Sequence, residues 1–303
     1  MRAVDLFAGA GGTTLGATWA GVRVLTAVNH WPVAVQTHAA AHPETEHRCE
    51  DAAILDPTTL PAHDLLLASP SCTGHTRARG TDQPHHDAAR ATAWCVVRVL
   101  EAQRPRLVVV ENVPEMLSWV LYRAWRTALS DLGYRVSEQV IDAADAGVPQ
   151  ERRRLFVVGT RGRRPITVPQ PTQEHVPARA ALDLDAGPWS AWRTAYVPNS
   201  VARIESAQRR HGSDVLVPYY GSPSSHAGRS LDRPIGTLTT RDRYVLVRGD
   251  RARVLSLREQ LRLASFPETY PLAGTRADGV MQVGNCVPPR LAQYVVGRVM
   301  EAA

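Results

Sequence analysis

Cys72 has the makings of a nucleophile. It lies in Ser69-Pro70-Ser71-Cys72-Thr73-Gly74, just after the apolar run Leu65-Leu66-Leu67. An apolar run closed by Ser-Pro reads as a buried parallel strand ending in a loop. Open α/β sheets gather ligands and reacting groups at such carboxyl ends, so this thiol is expected at a strand tip. Free Cys is otherwise among the most buried residue types, and that blander reading fits Cys49, Cys95 and Cys286.

Three further clusters carry chemistry-bearing side chains at similar places. Glu111 and Asn112 close the run Val108-Val109-Val110. Arg152-Arg153-Arg154 leads into Leu155-Phe156-Val157-Val158. Gly9, Gly11 and Gly12 follow Val4-Asp5-Leu6-Phe7-Ala8, where glycine lets a ligand approach the backbone and tolerates positive φ. Each cluster alone is ambiguous. Glu-Asn can be a simple turn, an arginine run is ordinarily a solvated basic patch, and a glycine-rich turn serves phosphate, a nucleotide or tight packing. His75, His85 and His86 have no carboxylate-rich shell in the sequence, so no metal is expected.

The elements that must position these groups follow a βαβ rhythm. Strands are predicted at 2–6, 23–28, 64–68, 106–111, 135–141 and 154–160, and helices at 13–20, 32–41, 87–103 and 117–132. That rhythm implies an α/β fold: a doubly wound, mostly parallel sheet with helices on both faces. Residues 161–235 lose this regularity and gain Pro, Arg, Ser and Tyr, which reads as a small loop-rich domain. Residues 236–303 become regular again and end in a helix over 288–299. The expected organisation is a catalytic domain at 1–160, a second domain at 161–235, and a C-terminal segment at 236–303 that returns to the first.

The 303 residues carry a net charge of +6, and all 35 basic residues are Arg. Coding bias is the simplest source of the missing Lys, yet excess positive charge favours a polyanion, and Arg recognises phosphate and guanine in bidentate fashion. No stretch approaches the ~18 apolar residues of a membrane span. Four cysteines without CxxC spacing argue against a disulfide framework or zinc site. With the first strand starting near Met1, a reducing cytoplasm is the expected setting.

Taken in order, Asp5-Leu6-Phe7-Ala8-Gly9-Ala10-Gly11-Gly12, Pro70-Ser71-Cys72, Glu111-Asn112-Val113, Gln150-Glu151-Arg152-Arg153-Arg154 and Gly284-Asn285-Cys286-Val287 resemble the cytosine-5 DNA methyltransferase family. The resemblance covers about residues 1–160 and 230–300. It implies a monomeric Rossmann-like enzyme that takes S-adenosylmethionine and double-stranded DNA and flips the target cytosine out of the duplex. It further implies Cys72 as the nucleophile, Glu111 against the base edge, Arg154 on the base carbonyl, Asn112 beside them, and Arg152 in a structural or phosphate-binding role. The cofactor site implied comprises Phe7, Ala8, Gly9, Gly11, Gly12, His30, Trp31, Asp51, Ala52, Pro70, Asn285 and Val287. Asp51 would accept from the adenine amino group, and Trp31 would stack on the ring. Residues 73–90 would close over the base, with Arg77 and Arg79 adding positive potential. Residues 161–235 would read the DNA sequence, with Pro218, Tyr219, Tyr220, Gly221 and Arg229 as candidate contacts that could equally serve packing and surface. A cognate restriction endonuclease is a conceivable partner in the cell; solitary and phage-borne enzymes share the pattern.

Four positions depart from the family. His30 stands where an acidic residue usually accepts from the ribose hydroxyls, and a neutral imidazole offers a single acceptor. Ser71 replaces the proline usual before the nucleophile. Thr73 and His75 replace the commoner Gln and Phe. These departures keep other readings open: alkyl (carboxymethyl) transfer from a carboxylated cofactor, tRNA cytosine methylation on the same fold, or a catalytically silent DNA-binding protein. Retention of Cys72, Glu111 and Arg154 together argues against silence.

Overall fold

The computed structural model describes residues 1–72, 74, 89–219 and 228–303. The chain divides into two compact units. Met1–Asp142, Arg153–Thr172 and Cys286–Ala303 form the first; Ala143–Arg152 and Gln173–Asn285 form the second. These bounds differ from the expected 160 and 235. Residues 161–172 stay with the first unit, and of the C-terminal segment only Cys286 onward returns to it.

The first unit is built on a seven-stranded sheet of β1 (Arg2–Leu6), β2 (Arg23–Asn29), β3 (Glu46–Cys49), β4 (Leu65–Ala68), β5 (Leu107–Asn112), β6 (Arg135–Asp142) and β7 (Arg153–Thr160). Their order is β3-β2-β1-β4-β5-β7-β6. The first five strands run parallel, and β7 runs antiparallel to both β5 and β6. The sequence reading missed β3: Glu-His-Arg-Cys has no apolar signature, and its backbone pairing to β2 makes it a strand.

Helices α1 (Gly12–Trp19), α2 (Pro32–Ala41), α3 (Ala93–Gln103) and α4 (Tyr122–Asp131) follow β1, β2, β4 and β5. Leu6, Leu66, Val108, Val110, Leu155 and Val157 alternate onto one face of the sheet, as pleating requires. There they bury against Val96, Val99 and Leu100 of α3 and against Trp125 and Leu129 of α4. The Trp125 indole N–H donates to the Ala93 carbonyl, which ties α4 to the start of α3. The terminal helix, Pro289–Glu301 in the sequence, packs on α1. A Cβ at Gly16 would come within 2.3 Å of the Pro289 carbonyl oxygen, so the two helices touch at a position only glycine can occupy.

The second unit holds a five-stranded antiparallel sheet that includes Asp214–Pro218, Tyr244–Arg248 and Arg251–Val254. A 14-residue helix, Pro198–His211, packs on it. Ile204, Ala207, Val215, Val217, Val245 and Val247 form its core, which gives this region more regular structure than its composition suggested. A buried bidentate pair also braces this unit. Arg253 donates to both Glu259 oxygens at 2.7 and 2.8 Å, and Glu259 closes a capping box with Ser256. Burial pushes the Glu259 carboxyl up, but the Arg253 and backbone N–H bonds outweigh it and hold the group below its ordinary value.

Candidate active site

The parallel strands release their loops at one end of the sheet. Phe7–Gly12 leaves β1, His30-Trp31 leaves β2, Asp51-Ala52 lies just beyond β3, Cys72 lies four residues beyond β4, and Glu111-Asn112 ends β5. Because β7 is antiparallel, its first residues reach the same end: Glu111 is opposite Phe156, and Asn112 is opposite Leu155. Arg154 precedes Leu155, and its Nε lies 3.0 Å from Glu111 Oε1, with the two side chains 12% and 13% exposed. A pair this sheltered holds its geometry better than a surface ion pair. Asn112 is 2% exposed and works in both directions. Its Nδ2 donates to the Pro70 carbonyl at 3.0 Å, and its Oδ1 accepts from Val113 N–H at 2.8 Å. The β5 terminus thereby fixes the loop that carries Cys72, which is partly exposed.

Further groups surround the turn after β1. Phe7, half-buried, is left-handed at φ 60, as are Gly9 at 56 and Gly11 at 94. A Cβ at Gly9 would meet only the Phe7 carbonyl oxygen, at 4.0 Å, so the turn is open above it. A small cavity of about 10 Å³ is bounded by Thr13, Ser69, Glu111, Phe156 and Val287. The buried Ser69 hydroxyl has no partner among the described residues. Asp51 is exposed and spends Oδ1 on the Ala53 N–H, at 2.9 Å. Arg98 of α3 clamps that loop by donating to the carbonyls of Ala53 and Leu55, at 2.6 and 3.0 Å. Trp31 is partly exposed, its N–H held by Asn29 Oδ1 at 2.9 Å, and His30 is exposed. Ala8, Ala52, Pro70 and Val287 are buried. The open glycine turn and the unpartnered Ser69 hydroxyl fit a ligand that carries polar groups, such as S-adenosylmethionine.

Residues 1–301 match the model of the C-5 cytosine-specific DNA methylase family. The chain belongs to the C-5 cytosine-specific DNA methylases. Among its relatives is the Type II methyltransferase M1.HphI of Haemophilus parahaemolyticus, 28% identical over 98% of this chain and 86% of that protein. Another is M.HgiDI of Herpetosiphon aurantiacus, 28% identical over 97% and 93%. A solved structure of a putative DNA modification methyltransferase encoded within an E. coli prophage matches with a TM-score of 0.74 at 22% identity, covering 99% of both chains. A Spodoptera frugiperda DNMT2 variant matches at 0.68 and 16%, over 99% of both. Both structures share the fold. Family membership makes this chain a DNA (cytosine-5)-methyltransferase and implies S-adenosylmethionine as its methyl source.

The structure places the other residues of the methylase singled out in the sequence as follows. Arg152 is 3% exposed and donates to the carbonyls of Leu238 and Gly284, at 3.0 and 2.7 Å. These donors thus brace the backbone of the second unit. Cys49 is exposed rather than buried, because edge strand β3 presents it to solvent; Cys95 and Cys286 are buried as expected. Asn285, at the end of a helix of the second unit, is exposed. Arg229 pairs with Glu151 at 2.6 Å, Pro218 is buried in its strand, and the Tyr219 hydroxyl donates to Tyr196 at 3.1 Å. Thr73, His75, Arg77, Arg79, Gly80, His85, His86, Tyr220 and Gly221 lie outside the described residues. No described helix is long and apolar enough to cross a membrane.

A buried polar chain beneath the glycine turn escaped sequence reasoning. Asp5 of β1 is fully buried and accepts from Thr14 at 2.7 Å. Thr14 Oγ1 lies 3.0 Å from His38 Nε2, and His38 Nδ1 lies 2.8 Å from His47 Nε2. The His42 ring lies tilted against His38, with centroids 4.7 Å apart, and hydrogen-bonds the Gly11 backbone. Burial raises the Asp5 carboxyl to about 7 against the Thr14 bond that lowers it. Burial, with the neighbouring imidazoles, lowers His38 to about 3 and His42 to about 4. The one sequence signal was His38 and His42 one helical turn apart.

Proposed function

We propose that the methylase acts through a covalent adduct between Cys72 and a flipped cytosine in duplex DNA. One observation carries this reading. Glu111 and Arg154 form a sheltered pair at the sheet end where Asn112 holds the Cys72 loop. Carbon 5 of cytosine is a poor nucleophile. Bond formation between Cys72 Sγ and carbon 6 places electron density on carbon 5, dividing one hard step into easier ones. Glu111, oriented by Arg154, holds ring nitrogen 3 and the exocyclic amino group, while Arg154 offers a donor to the base carbonyl as charge develops on the ring. Loss of the carbon 5 proton and expulsion of the thiolate then restore the ring.

S-adenosylmethionine, when bound, supplies the methyl group as an electrophile. Phe7, Ala8, Gly9, Gly11, Gly12, Trp31, Asp51, Ala52, Pro70 and Val287 would line its site, with His30 at the margin. Asp51 and Trp31 would take the adenine. The second unit would read sequence in the major groove, and a cognate restriction endonuclease would act on the same site. The basic balance of the chain supports a DNA partner.

Labelled methyl transfer to duplex DNA, with tRNA as the comparison, tests the reading. Wild type is expected to label DNA, and Cys72→Ser to lose essentially all transfer while binding cofactor normally, because a serine hydroxyl is far less ionised than a thiol of pKa ~8.5. Transfer by Cys72→Ser at a tenth of the wild-type rate or more would sink the assignment, and labelling of tRNA alone would replace the substrate.

A further inference from the structure

We propose that Thr92 is a positioning residue for the nucleophile, its hydroxyl doing for the Cys72 loop what a proline before the cysteine would otherwise do. The inference rests on the reading of Cys72 given above. Ser71 N–H donates to Thr92 Oγ1 at 3.0 Å. Proline at position 71 would have no N–H and could not make this bond. The contact therefore exists because the chain departs from the usual motif at this position.

Thr92 is committed to the loop at the expense of its own helix. It occupies the N-cap position of α3, where a threonine ordinarily accepts from the second or third N–H of the helix. Here it makes no such cap. Its one hydroxyl proton goes to the Ala89 carbonyl at 2.7 Å, which turns a lone pair toward Ser71 N–H. A β-branched side chain has few rotamers, so the acceptor stays aimed. The next residue, Ala93, is 1% exposed, and its carbonyl receives the Trp125 indole N–H at 2.9 Å. The anchor is thus part of the rigid core of the first unit.

The loop is held from both sides immediately before Cys72. Asn112 of β5 fixes the Pro70 carbonyl, and Thr92 of α3 fixes the Ser71 N–H. A proline restrains φ through its ring. A hydrogen bond to a fixed acceptor restrains the same peptide through an external point, and it can be removed by deleting one hydroxyl. The nucleophile is one residue beyond, so its approach to carbon 6 depends on that restraint, and small misplacements of reacting groups are costly to rate.

The test compares Thr92→Val and Thr92→Ser, alone and in a Ser71→Pro background, by single-turnover methyl transfer at saturating DNA and cofactor. Adduct formation on 5-fluorocytosine DNA, cofactor affinity by calorimetry and melting temperature are measured alongside. Thr92→Val is expected to slow both transfer and adduct formation roughly tenfold, the scale of one lost hydrogen bond. Cofactor affinity and melting temperature should stay near wild type. Thr92→Ser, which keeps the hydroxyl, should restore most of the rate. In the Ser71→Pro background, which lacks the N–H, the effect of Thr92→Val should shrink below about twofold.

Adduct formation by wild type is read first. Its absence overturns Cys72 as the nucleophile and the role of Thr92 with it. Its presence together with wild-type rates in Thr92→Val overturns the role of Thr92 alone. A Thr92→Ser variant no better than Thr92→Val, or parallel losses of stability and cofactor affinity, would mean that the threonine merely supports the fold. An undiminished Thr92→Val effect in the Ser71→Pro background would mean that the hydroxyl acts through some other group. Should Ser71→Pro fail to fold, the valine and serine pair still decides.

Discussion

His30 is exposed at the end of β2, where a carboxylate would offer two acceptors to a ribose diol and a neutral imidazole offers one. If the cofactor ribose lies there, His30→Glu should tighten S-adenosylmethionine binding. A hydrogen bond to a charged group is worth about 1.5–3 kcal/mol, or at least tenfold in affinity. If His30 instead faces an added carboxylate on the cofactor, the same change should sharply weaken binding of carboxy-S-adenosylmethionine and leave the ordinary cofactor unaffected. Calorimetry with both ligands separates the two; unchanged affinity for both would place His30 outside the site. At this scale the sequence was informative where a residue type is scarce and sits at a strand end. The placement of Cys72, Glu111 and Asn112 at or just beyond strand ends was legible for that reason. Thr92 and Arg98 were not, because their work is done on backbone groups dozens of residues away, and nothing in residue type or spacing announces such a bond.

Strands β1, β2, β4 and β5 were readable because burial on both faces writes continuous apolar runs. Strand β3 was hidden by its polar edge, and the antiparallel sense of β7 has no sequence signature, although it is what brings Arg154 beside Glu111. The polar chain linking β1, α1, α2 and β3 makes a testable claim about these elements. Asp5 is raised in the folded state to about 7, so its contribution is full below about pH 4 and is lost as pH rises through 7. His38 and His42 are lowered to about 3 and about 4, so theirs is present above about pH 6.5 and is lost as pH falls toward those values. Asp5→Asn removes only the first effect. Its stability relative to wild type should therefore improve by as much as about 4 kcal/mol between pH 4 and pH 8. Denaturant unfolding at both pH values reads this, and a difference that does not vary with pH would show that Asp5 stays ionised throughout.

For the whole molecule, the catalytic framework was legible and its partition was not. The composition shift near residue 161 marks where βαβ regularity stops, but residues 143–152 join the second unit and residues 161–172 stay with the first, because contacts rather than composition draw the boundary. If the second unit reads sequence, exchanging residues 173–235 for the equivalent segment of a methylase with another target should transfer that target while keeping cofactor affinity. Mapping of methylated cytosines in DNA from the expressing cell would show it, and an unchanged site would rule the segment out as the reader. The claim on which everything else stands is the bond between Cys72 and the base. Duplex DNA carrying 5-fluorocytosine at the mapped target blocks loss of the group at carbon 5 and should trap that bond. Mass spectrometry of the digested complex should find the nucleotide on the peptide containing Cys72, in wild type and not in Cys72→Ser. Methyl transfer to ordinary DNA by a wild-type protein that forms no adduct on the fluorinated duplex would contradict it.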